Sequence, residues 1–192
     1  MATSSDVSVG LAHELTITAI KVGWEPKDFA DLAHSEDKAR KVLDYLRGLS
    51  EIKPIIHAID CDAAPFVPDS WSVEEHKKGG IFTWDPTKVR LYLSKRQEDG
   101  KCILSYELRR ELANQPVLNS NVLDYLLRPE NQHLIPEDWK GKFVFFWGTV
   151  YRRSNVYLCV RCLCWYGARW LWRYGWLDHC LSSHDPAVVR AS

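Results

Sequence analysis

An α+β fold is what this sequence predicts: an N-terminal helical layer, short central strands and helices, and a C-terminal three-stranded antiparallel meander. Three observations carry that prediction. Apolar residues recur at helical spacing between residues 8 and 48, prolines interrupt residues 54 to 86, and residues 142 to 177 read as β-ribbon broken twice by turn residues. With 192 residues and 46% hydrophobic side chains the chain is long enough to bury a core. One compact unit over 1–192 is expected, the alternative being a helical subdomain at 8–50 beside an α+β body at 51–192.

The first eight residues are small and polar and are expected to fray. Leu11, Leu15 and Thr18 or Ala19 then mark one helix, Gly23 and Pro26 break it, and Phe29, Leu32 and Ala33 mark a second. Ser35 is a good N-cap for a third, with Glu36 and Asp37 in its first turn, Val42, Leu43 and Leu46 on one face, and Gly48 as its stop. A turn at His34-Ser35 would make a helix-turn-helix bearing Lys38, Arg40, Lys41 and Arg47, but Asp37 and Asp44 dilute its charge and ordinary helical hairpins are far commoner.

Ile55 to Ile59 reads as a short strand followed by an irregular connection, because prolines remove ladder donors. Val89, Leu91 and Leu93 alternate as in a half-buried strand. Leu104, Leu108 and Leu112 predict a helix to about Asn114, and Ser120 starts another in which Asp124 can pair with Arg128 one turn on. The meander follows as strands 142–152, 156–166 and 169–177, with turns at Ser154-Asn155 and Gly167-Ala168.

Twenty-five basic and twenty-five acidic side chains cancel, so no global field advertises a polyanionic partner or a membrane surface. No stretch approaches the roughly 20 apolar residues of a bilayer span, and no leader pattern opens the chain. A cytoplasmic protein with six reduced cysteines is expected. No cofactor is implied, since phosphate-loop, dinucleotide and nucleophile-elbow patterns are missing.

The strongest local signal lies between Trp139 and Leu177, where seven lysines and arginines meet no aspartate or glutamate. Arginine and large aromatic rings anchor protein interfaces, and on a sheet they also stack on single-stranded nucleic acid. Arg152, Arg161, Arg169, Arg173, Trp170 and Trp172 are therefore the partner-binding candidates, for a protein partner or for single-stranded nucleic acid. The plain alternative buries the tryptophans beneath helices and leaves the arginines in water. Arg152-Arg153 at a hairpin tip reads as a solvated turn.

A metal-dependent enzyme is the competing class. His57, Asp60, Asp62 and His76 are its candidate ligands, because Asp60 and Asp62 on a strand project to one side about 7 Å apart. The opposing reading is that such aspartates cap loop backbone. Cys159, Cys162 and Cys164 have zinc-like spacing, with His179, Cys180 and His184 as spare ligands, yet strand alternation points Cys159 away from the other two.

In Pro116 to Leu127, His133 to Lys140 and Phe145 to Arg152, and on through Ile59 to Asp62, Pro65 to Pro68, Trp84 to Pro86 and Pro186-Ala187, with the N-terminal helices matching more loosely, the chain resembles a group of short uncharacterised bacterial proteins. The resemblance implies a bacterial origin and an accessory role in a mobile-element or defence-related locus. It carries no activity, cofactor or catalytic residue with it.

Overall fold

A computed structural model of the chain describes residues 8–53, 55–154 and 157–191. The chain divides into two compact units, Met1–Ile55 and Ile56–Ser192. The first holds helices α1 (Val9–Lys21), α2 (Pro26–Ala33) and α3 (Glu36–Leu46). Each starts as its sequence dictates. Ser8 accepts from the Leu11 amide, Glu25 and Asp28 form a capping box beside Pro26, and Ser35 accepts from the Lys38 amide. Lys38 pairs with Asp31 and Lys41 with Asp37, so two of the cations that would read DNA are occupied locally. Ala19 is the buried residue of these helices.

The second unit is built on a sheet. In chain order its elements are β1 (Ala58–Asp60), β2 (Trp71–His76), β3 (Ile81–Thr83), β4 (Val89–Tyr92), β5 (Ile103–Leu104), α4 (Ser105–Glu111), α5 (Ser120–Leu126), β6 (Phe143–Arg153), β7 (Leu158–Tyr166), β8 (Arg169–Trp176), β9 (Cys180–Leu181) and β10 (Ala187–Arg190). The main sheet runs β4-β10-β6-β7-β8, with β2 also on β6, while β1 pairs with β3 and β5 with β9. The α+β class and the β6-β7-β8 meander are as the sequence predicts. The hairpin expected at Ser154-Asn155 falls partly outside the described residues. At Gly167 and Ala168 both φ angles are positive, +58° and +63°, the geometry that a two-residue hairpin turn requires.

Apolar side chains bury on both faces of the sheet. On one, Leu118, Val122, Leu123 and Leu126 of the α5 segment meet Val144, Phe146, Leu163, Trp170 and Val188. On the other, Ile103, Leu108 and Leu112 meet Phe145, Trp147, Val150, Val160 and Cys162. Each fully buried aliphatic chain contributes about 1.5–3 kcal/mol, against about 1 kcal/mol for a cap, so packing rather than capping holds α5.

β6 changes face partway. Its register with β7 shifts between Phe145 and Val150, which puts Phe145, Trp147 and Val150 on one side and Thr149 and Tyr151 on the other. Its opposite edge is divided in the same stretch. β10 runs parallel to it at Phe145, β2 takes Thr149 to Arg153, and between them the Gly148 amide donates to Leu118 O.

One expectation fails here. Cys102 and Cys180 form a disulfide, because the pairing of β5 with β9 sets Leu104 opposite Cys180 and leaves the Cα atoms of the two cysteines 5.6 Å apart. Six reduced thiols are therefore not present, and the cysteine content no longer speaks for a reducing compartment. Among the described residues no helix is long and apolar enough to cross a membrane. The four free thiols are buried, and burial pushes Cys159 up to about 12 against the opposing Arg153 charge.

Thiol titration checks this arrangement. A chromogenic disulfide reagent should find no fast-reacting thiol in the native protein, four after unfolding without reductant, and six after reduction. Cys102→Ser should cost about 2–4 kcal/mol in urea denaturation.

Candidate functional site

β8 is the last strand of the main sheet and pairs with β7 alone, from Tyr166 opposite Arg169 to Cys159 opposite Trp176. Its outer edge therefore offers backbone donors and acceptors with no strand partner among the described residues. Its two faces differ. Trp170 enters the core under α5 and Trp172 packs half-buried against it. Farther along, Trp71 of β2 meets Trp172 and Tyr174 edge-on, with ring centroids 6.2 and 5.2 Å away. The Arg153 guanidinium sits over Trp71, Tyr174 and Trp176 at 5.1–5.5 Å and donates to the Tyr174 hydroxyl at 2.9 Å. These contacts fix the rings before any partner arrives. Arg169 and Arg173, by contrast, are exposed and make no ion pair among the described residues.

The six partner-binding candidates thus separate. Arg169 and Arg173 are exposed and lie on the face of β8 opposite half-buried Trp172. Arg152 is held by Glu74, through Nε at 3.0 Å and Nη2 at 2.8 Å. Two expectations are overturned. Trp170 is 5% exposed, and Arg161 is 1% exposed. The reason lies in β7, where Arg161 shares its face with Leu163 and so points under α5, toward Asp124. Asp124 accepts two bonds from it, at 3.0 Å from Nη1 and 2.6 Å from Nη2, rather than pairing with Arg128. Arg128 lies over the Tyr125 ring instead. Burial opposes the charge on Arg161, but Asp124 and the Tyr151 hydroxyl outweigh it and hold its pKa above the ordinary arginine value. Nor are Arg152 and Arg153 a solvated tip, since both lie within β6.

A chain of buried polar groups continues from there. The Tyr151 hydroxyl donates to Phe66 O at 3.0 Å and lies 2.7 Å from Ser120 Oγ, Ser120 Oγ lies 3.0 Å from Thr149 Oγ1, and Thr149 meets His76 Nδ1 at 2.9 Å. His76 Nε2 lies 3.1 Å from the Cys61 carbonyl, which only accepts, so the ring is protonated at Nε2. Asn119 Nδ2 donates to that carbonyl and to Lys77 O.

The proposed metal ligands are spent in the same way. His57 Nδ1 shares a bond with the Tyr125 hydroxyl, and Asp60 accepts from the Asp62 and Ala63 amides. Asp62 accepts from the amides of Gly80 and Gly79, which hold its carboxyl below the usual range. His57, Asp60, Asp62 and His76 therefore do not gather into a metal site, and among the described residues no group of three or more His, Cys, Asp or Glu could hold an ion. The cysteine site fails equally, as Cys180 is in the disulfide and Cys159 faces away from Cys162.

No protein-family model, curated protein or solved structure matches this chain, so its own geometry is what bears on function.

Removing Arg161 should be costly and removing Arg169 nearly neutral. Arg161→Ala leaves Asp124 without its buried partner and should lose about 3–5 kcal/mol in urea denaturation. Arg169→Ala should stay within about 0.5 kcal/mol of the parent. Equal effects of the two substitutions would contradict the burial described.

Proposed function

We propose that this chain is a non-catalytic interaction protein that receives an extended acidic polypeptide segment along the outer edge of β8. The observation that carries the reading is an edge without a strand partner among the described residues, flanked by exposed Arg169 and Arg173 in a 39-residue stretch, Trp139 to Leu177, that has no carboxylate. A peptide completing the ladder gains main-chain hydrogen bonds for affinity and side-chain contacts for specificity. Acidic residues on it would meet the two guanidinium groups, and its other face would lie toward Tyr174, 37% exposed and already held by Arg153 and Trp71. Rigid aromatic side chains lose little freedom on binding, which favours their use as anchors. Single-stranded nucleic acid could use the same arginines and rings but cannot complete a β-ladder, so the free backbone edge favours a peptide.

Titration with a ten-residue alternating glutamate–valine peptide tests this, beside a lysine–valine control and oligothymidylate. The acidic peptide should bind, N-methylation at alternate peptide residues should weaken it, and Arg169→Glu with Arg173→Glu should weaken it about tenfold, roughly 1.4 kcal/mol. Tighter binding of oligothymidylate with a steep salt dependence would transfer the surface to nucleic acid. No binding of either would remove the reading.

A further inference from the structure

Two adjoining cavities open where β2 and β10 part from the same edge of β6. The larger, about 470 Å³, is bounded by Tyr106, Arg109 and Arg110 of α4, by Lys77 just past β2, and by Trp147 of β6. The smaller, about 220 Å³, shares Lys77 and Val117 with it and adds Lys78 and Arg190. Five cations therefore border one cleft, and Glu75 is the single carboxylate that lines it. In a chain of zero formal charge that is a strong local excess.

Internal pairing does not cancel it. Glu75 neutralises Arg109 at 2.6 Å. Lys77 donates to the Ala113 carbonyl and Arg190 to the Gly79 carbonyl, acceptors that carry no formal charge. Arg110 lies over the Tyr106 ring, 5.6 Å from its centroid. Trp147, 3% exposed, closes the inner end of the larger cavity. Leu112 and Val117 give the same cavity an apolar side. Cations and an apolar wall in a volume within the usual ligand range of about 300–1,000 Å³ describe a site for an anion with an organic part.

We propose that this cleft binds a small phosphate-bearing anion, with Lys77, Lys78, Arg110 and Arg190 facing its charge. Four cations that make no salt bridge among the described residues suit a multiply charged phosphate better than a single carboxylate. The site is separate from the β8 edge and shares no residue with it.

Calorimetry on the full chain with adenosine 5′-monophosphate, inorganic pyrophosphate and citrate tests the proposal, read beside the Trp147 indole N–H signal in indole-¹⁵N spectra, assigned with Trp147→Phe. A phosphate probe should bind and shift that signal, since the Trp147 ring lines the cavity, citrate should bind at least tenfold more weakly, and the two phosphates tell an organic ligand from an inorganic one. Lys78→Ala with Arg110→Ala, both exposed positions, should weaken binding at least tenfold at an unchanged melting temperature. Arg169→Glu with Arg173→Glu should leave it unchanged, so this site and the peptide edge stand or fall separately. Neither phosphate binding at millimolar concentration, citrate binding equally well, or affinity surviving the Lys78 and Arg110 substitutions would each overturn the assignment.

Discussion

The close approach of Gly148 to Asn119 is the constraint on which the rest of the second unit depends. A Cβ at Gly148 would lie 2.8 Å from the N, Cα and Cβ of Asn119, all atoms that cannot swing aside, so only glycine fits. Through this contact the edge of β6 passes from β10 to β2 without losing its backbone bonds: the Gly148 amide donates to Leu118 O, and its carbonyl accepts from the Lys77 amide at 2.7 Å. Asn119 then clasps three segments. Its side chain donates to Cys61 O and Lys77 O and accepts from the Asn121 amide at the start of α5.

Both functional proposals descend from that clasp. Fixing the start of α5 brings Ser120 to Thr149 and Asp124 over Arg161, which closes the polar chain beneath the sheet and takes Arg161 out of any binding surface. Buried polar groups of this kind specify a single arrangement when all partners are present and destabilise it when one is removed. The divergence of β2 and β10 around the same glycine leaves the cationic cleft open beside Trp147. At the far side of the sheet, β7 supports β8 on one edge, and the other has no strand partner among the described residues.

Much of this was legible in the sequence where periodicity and punctuation act locally. Ser35, Gly23 and Pro26 set the helix ends, and Gly167-Ala168 sets the last hairpin, because each works through its own backbone. What escaped depends on distant partners. Ala187 to Arg190 is too short to announce a central strand, yet β10 lies between β4 and β6. β2 carries a bulge between Val73 and Glu75 that spoils its alternation. Asp124 has Arg128 one turn away, and nothing local says that Arg161, 37 residues on, takes its place. The aspartates at 60 and 62 were readable as loop caps, and that is how they act. The Cys102 and Cys180 pairing follows from β5 meeting β9 across 78 residues, which spacing alone does not give.

Gly148→Ala tests the clasp most directly, by thermal melting together with the side-chain amide signal of Asn119. Overpacking against fixed backbone costs about 1–3 kcal/mol. The account predicts a melting point lower by roughly 2–12 °C, at about 2–4 °C per kcal/mol, with the Asn119 amide shifted from its hydrogen-bonded position. An alanine variant that melts with the parent and keeps that signal would contradict it.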